Sequence, residues 1–268
     1  MSKLSVSRAW DESRMILARD GRLFAAVALA LVVLPQTVIG LVAPASPGAT
    51  PGTTMALFAV TIVIGLIAQI ALNRLAIGPS TTVGAAIGRG VARMPAMLGA
   101  FILLMIVLFL VLIPVVLVLA ALGAVTEPGV GHEAPPSVIA LILLVAAFCY
   151  AIFQLTIPVA AAEGGGPVHL MARSWRLARG SYFRLLGFVL LVFIGLIVVV
   201  LAGQLGIGSI VALTLGPPDP MSLSALVISL VVALIQAFFT VLFAVMLARI
   251  YLQLAESSVQ PSVPKSGI

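Results

Sequence analysis

The chain has 268 residues, of which 62% are hydrophobic and only 8% charged, and a formal net charge of +6. Its mean hydropathy is +1.29. Soluble domains carry about 25% charged residues, so an ordinary soluble enzyme is excluded. The positive charge borders apolar runs, where anionic lipid is the nearest partner and each Lys or Arg contributes about 1 kcal/mol of attraction; no nucleic-acid motif accompanies it.

Six apolar runs, near 23–43, 54–77, 97–123, 137–160, 185–213 and 222–250, reach the length of about 20 residues that a spanning helix needs. They predict an all-α fold, a polytopic bundle of six transmembrane helices in one integral membrane domain, 1–255, with a short cytoplasmic tail, 256–268. The 14 Lys and Arg residues gather towards the termini and around the second and fourth connections. The connections around 44–53, 124–136 and 215–220 hold only the acids Glu127, Glu133 and Asp219. Under the positive-inside rule both termini and the two basic connections face the cytoplasm.

Ahead of the first run, Val6, Trp10, Ser13 and Leu17 form an apolar stripe, with Arg8, Asp11, Glu12 and Arg19 elsewhere around the helix. An interfacial helix is expected there. Ala43-Pro44-Ala45 resembles a signal cleavage site, but the run before it exceeds the usual apolar core of about 7–15 residues, so retention is expected.

The second connection repeats the device. Val83, Ile87, Gly90 and Met94 line one face and Thr82, Arg89 and Arg93 the other, while Gly84 and Gly88 form a Gly-x-x-x-Gly pair of the kind that permits close helix approach. In the fourth connection Val168, Met171, Ala172, Trp175 and Tyr182 share one face; His169, Arg173, Arg176 and Gly180 share the other. Pro167 suits a first helical turn, with Gly166 as N-cap. Arg179 and Arg184 extend the basic surface, and Arg173, Arg176, Arg179, Arg184 and Trp175 are the candidate contacts for an anionic headgroup.

No Asp, Glu, Lys, Arg or His occupies the middle of a run, which argues against ion coupling through an intramembrane carboxylate. Asn73, Arg74 and Arg249 fall near cytoplasmic ends, within reach of headgroups. The interior polar residues are Gln69, Gln154, Thr156, Gln204, Ser229, Gln236 and Thr240, for which interhelical hydrogen bonding is the ordinary role. Pro35, Pro114 and Pro158 are expected to kink their helices, and Gly203-Gln204-Leu205-Gly206-Ile207-Gly208 to interrupt the fifth.

Spacing also suggests repetition. Gly78-Pro79 recurs as Gly166-Pro167 and Gly99 as Gly187, both 88 residues on; Gln69, Gln154 and Gln236 follow at similar intervals. The pattern is that of an interfacial helix followed by two spans, used three times.

Catalytic signatures are missing. His132 and His169 lack metal-ligand spacing, so no metal is expected, and no cofactor or phosphate-cradling motif occurs. Glu163 and Arg173 form a salt link more readily than a catalytic pair. Cys149 has no partner and reads as a packing residue.

The segment Glu163-Gly164-Gly165-Gly166-Pro167 through Arg173-Ser174-Trp175-Arg176-Leu177-Ala178-Arg179-Gly180 to Gly187 resembles bacterial six-span proteins grouped with the membrane domain of glycerophosphoryl diester phosphodiesterase and with the YciC-type inner-membrane proteins. The resemblance implies a multi-pass domain of the bacterial inner membrane without catalysis of its own, since phosphodiesterase chemistry belongs to an appended soluble barrel. The expected function is a non-enzymatic accessory or scaffold contacting anionic lipid or a protein partner. The alternative is a transporter or channel for a lipid-like or small amphiphilic solute, which requires a continuous cavity lined by Gln69, Gln154 and Gln236.

Overall fold

The structure, a computed structural model, describes residues 5–42, 51–78, 81–121, 136–219 and 221–259. Pro79, Glu127, His132, Glu133 and the chain beyond 259 lie outside the described residues. Every regular element described is helical. Six helices are long and apolar enough to cross a membrane: Val6–Leu41, Met55–Ile77, Val83–Val118, Leu144–Ala162, Tyr182–Leu215 and Leu223–Ser257.

The first of these starts well before the apolar run. Helix α1 (Val6–Ala28) passes through a π-helical turn, Leu29–Val33, into α2 (Leu34–Val42). Pro35 accounts for the turn: it has no N–H to give the Leu31 carbonyl, and its ring crowds that carbonyl. The Leu34 N–H accordingly reaches back five residues to the Leu29 carbonyl.

Helix α3 (Pro51–Ile77) is followed by α4 (Val83–Ala121), whose 39 residues include both the second connection and the third apolar run. At 1.5 Å per residue α4 is about 58 Å long, far beyond the hydrocarbon thickness of about 30 Å. The expected break before the third run is therefore absent, and Pro95 and Pro114 are carried inside the helix. Helix α5 (Pro136–Ala162) ends in a Gly-rich turn before α6 (Pro167–Ala178), which begins at Pro167 with Gly166 as N-cap. Only this basic segment forms a helix of its own.

Helix α7 (Tyr182–Leu215) runs unbroken through Gly203, Gly206 and Gly208, against expectation. Glycine costs a helix about 1 kcal/mol relative to Ala, whereas each backbone group left unpaired in an apolar surrounding costs several. Continuity wins. Helix α8 (Leu223–Val259) packs along α7, α3 and the α1–α2 helix.

Two close approaches fix the packing. A Cβ on Gly90 would lie 2.8 Å from the Ile67 carbonyl oxygen, so α4 meets α3 backbone to backbone there. A Cβ on Gly40 would lie 2.6 Å from Ser229 Cβ, which brings α2 against α8 at the other end, where the Met221 N–H also donates to the Leu41 carbonyl at 3.2 Å. Gly84 and Gly88, by contrast, face open space and make no helix contact. Gly99 and Gly187, equivalent in the repeat pattern, have unlike surroundings: Pro167 Cγ lies 2.6 Å from a Cβ placed on Gly99, and nothing lies within 4 Å of one on Gly187.

Candidate functional site: the arginine-bearing end of the bundle

The α5–α6 turn is built for compactness. Gly165 has φ +130°, a conformation that disfavours any side chain, and a Cβ there would also meet His169 Nδ1 at 2.6 Å. Next to it the Arg93 guanidinium approaches to within 3.1 Å of where a Gly164 Cβ would stand.

This turn presents Glu163 to three other helices. Its carboxylate accepts the Tyr251 hydroxyl at 2.8 Å and Arg173 Nε at 3.1 and 3.3 Å, while its carbonyl accepts an Arg89 N–H at 3.1 Å. Helices α4, α6 and α8 are thereby tied to one residue. The Glu163–Arg173 pair is half-buried on both sides and forms a salt link, with the Tyr251 hydroxyl on the same carboxylate.

That link divides the expected headgroup cluster. Arg173 is committed to Glu163, whereas Arg176 and Arg179 are exposed. Arg184 is exposed at the start of α7 and has contacts of its own. Around α6 three sectors appear. Leu170, Ser174, Leu177 and Ala178 are buried against the bundle; Val168, Ala172 and Trp175 form an exposed apolar sector; His169, Arg173 and Arg176 form the polar one. Trp175 is 44% exposed and Val168 68%, so the part of the apolar stripe on α6 points outward and the buried face is rotated from it, while Tyr182, expected on the same stripe, is buried at the start of α7 with its hydroxyl donating to the Phe148 carbonyl.

Two expected snorkelling residues do something else. Asn73 is fully buried and donates from Nδ2 to the Gln69 carbonyl at 2.9 Å. Arg249 donates to the Ala76 carbonyl at 3.1 Å, placing a cation at the C-terminus of α3, where the helix dipole favours it.

The interior glutamines converge in pairs. Gln69 and Gln154 border a cavity of about 160 Å³ with Tyr150 and Thr240. Gln69 and Gln236 border a second, of about 170 Å³, with Gln36, Thr61 and Thr240. Neither of these two cavities is lined by all three glutamines, and Gln69 and Thr240 border both. The side-chain oxygens of Gln69 and Gln154 are buried without a hydrogen-bond partner among the described residues. Such groups are costly when unpaired, by about 1–3 kcal/mol each, and the cavity beside them is roomy enough for water.

Among the described residues no cluster of His, Cys, Asp or Glu is placed to hold a metal. Sequence reasoning missed Tyr251, which reaches Glu163 across 88 residues of chain, and the meeting of Arg74 and Arg89 at one cleft between α3 and α4. Helical spacing signals neither, because both are contacts between elements.

Six apolar helices of crossing length, with polar residues paired between helices, place the chain in a class: they fit a multi-pass helical membrane protein. The chain belongs to the family described as Domain of unknown function (DUF7847), whose model matches residues 4–254. No curated protein and no solved structure matches it.

Proposed function

We propose that the protein is a non-enzymatic accessory or scaffold of the bacterial inner membrane. In this reading both termini and the arginine-bearing end face the cytoplasm, and α6 contacts anionic headgroups or a protein partner there. One observation carries it: the exposed face of α6 sets Trp175 and Val168 beside Arg176, with Arg179 next along the chain. An aromatic ring at headgroup depth next to guanidinium groups suits an interface of lipid and water. The likeness of residues 163–187 to membrane domains whose chemistry resides elsewhere supports an accessory role.

Arg173 holds Glu163, so the test uses Arg176→Gln with Arg179→Gln and leaves Arg173 in place. Native mass spectrometry of the protein released from nanodiscs containing phosphatidylglycerol is expected to show retained anionic lipid in the wild type and less in the double variant. Equal retention would leave these arginines as topology signals only.

Transport of a small amphiphilic solute is the second reading, favoured by the sharing of Gln69 and Thr240 between two cavities. Each of these two cavities is close to the roughly 150 Å³ that accommodates a benzene ring, but the first shares Tyr150, Val189 and Phe193 with an apolar cleft of about 530 Å³, so an amphiphilic solute would sit mainly in that cleft. Solute flux into proteoliposomes that is abolished by Gln69→Leu would reverse the preference.

A further inference from the structure

At the same end of the bundle, α3 and α4 meet across a cleft of about 460 Å³ lined by Arg74, Thr81, Thr82, Ala85, Arg89 and Ala162. It offers two guanidinium groups, two hydroxyls and the first turn of a 39-residue helix, and no carboxylate lines it among the described residues. The Thr82 hydroxyl accepts the Ala85 N–H at 3.3 Å, which places the threonine at the helix start. Helix N-termini present unpaired N–H groups and a partial positive charge to the space in front of them.

The arginines here are gathered against their own repulsion. The charges acting on the Arg89 guanidinium are those of Arg93 and Arg74, both of its own sign. Glu163, which binds Arg89 through its carbonyl, spends its carboxylate on Arg173 and Tyr251. Arg89 Nε is buried and has no hydrogen-bond partner among the described residues. An oxyanion in the cleft would offset the clustered positive charge.

We infer that this cleft binds a phosphate group, carried either by a lipid headgroup or by a free phosphate or phosphomonoester. Guanidinium forks match phosphate oxygens two at a time, and the threonine hydroxyls add donors of the kind a tetrahedral anion accepts. Arg176 and Arg179 do not line the cleft, so the inference stands apart from the role proposed for α6.

The experiment uses the full chain in nanodiscs and has two arms. In phosphatidylcholine nanodiscs, inorganic phosphate is titrated and the unfolding temperature followed; in nanodiscs containing phosphatidylglycerol, lipid retained per chain is counted by native mass spectrometry. Saturable stabilisation by phosphate, weakened about tenfold or more in Arg74→Gln as expected for loss of a charge-assisted bond, identifies a free phosphate ligand. Retained phosphatidylglycerol lost in Arg74→Gln, with no response to inorganic phosphate, identifies a lipid headgroup. Should that variant fail to insert, Arg74→Lys keeps the charge, loses the fork and is expected to weaken binding in the same arm. Absence of saturable binding in both arms for the wild type, or binding unaltered in the arginine variants, overturns the inference.

Discussion

Gly90 and the pair Gly84 and Gly88 stand on one helix, two residues apart at the closest, and do opposite things. A methyl group on Gly90 would press on the Ile67 carbonyl, a backbone atom that cannot rotate away. Gly90→Ala is therefore expected to destabilise the protein by about 1–3 kcal/mol, the usual cost of overpacking. Gly84→Ala and Gly88→Ala meet nothing within 4 Å and are expected to be neutral or to stabilise by up to about 1 kcal/mol through helix propensity. Thermal unfolding of the three variants in detergent separates these outcomes, and equal losses at all three sites would contradict the assigned contact. The Gly-x-x-x-Gly spacing was visible in the sequence, but which glycine touches a neighbour depends on how α4 is rotated, and only the packed structure fixes that.

Rotation is the general difficulty at the scale of the element. Lipid is as apolar as a helix interface, so hydrophobicity does not identify the buried face; close packing of small residues does. On α1 the sequence stripe is Val6, Trp10, Ser13 and Leu17, yet Ala9, Ser13 and Ile16 are buried and Trp10 is 42% exposed. On α6 the stripe through Val168 and Trp175 faces outward while Leu170, Ser174, Leu177 and Ala178 pack inward. In both helices a serine and an alanine lie on the buried face, Ala9 and Ser13 on α1 and Ser174 and Ala178 on α6, and the indole turns away. Leu170 is fully buried, so Leu170→Ala is expected to cost about 2–5 kcal/mol. Trp175→Ala is expected to cost much less while weakening retention of anionic lipid, a split readable by pairing unfolding with lipid counting. Helix existence was legible throughout, since a run of about 20 apolar residues admits little else. Boundaries were not: α1 and α4 continue through segments whose polar residues suggested separate helices, and α4 does so even across Pro95, which has no N–H to give the ladder.

For the whole molecule, the charge pattern read from the sequence finds its counterpart in the fold. Arg74, Arg89, Arg93, Arg173 and Arg249 assemble around Glu163, Ala76 and the α3–α4 cleft, and α8 reaches the same end through Tyr251. Asp219 lies in the α7–α8 connection, two residues before Met221, whose N–H donates to the Leu41 carbonyl, at the opposite end of the helices. What the sequence could not convey is that part of the expected cationic surface is spoken for within the protein. Arg173 and Arg249 hold helices together, which leaves Arg176 and Arg179 outward and Arg74 and Arg89 facing a cleft. A charge count carries no information about partners distant in the chain.

The central claim is that the two ends lie on opposite sides of a membrane, with the arginine-bearing end in the cytoplasm. It is tested most directly by labelling with a membrane-impermeant maleimide. Cys149 is first replaced by Ser; Arg176→Cys and Asp219→Cys are then introduced singly, both positions being exposed. Labelling of Arg176→Cys only from the cytoplasmic face, and of Asp219→Cys only from the other, is the result expected; labelling of both from the same face would contradict the account.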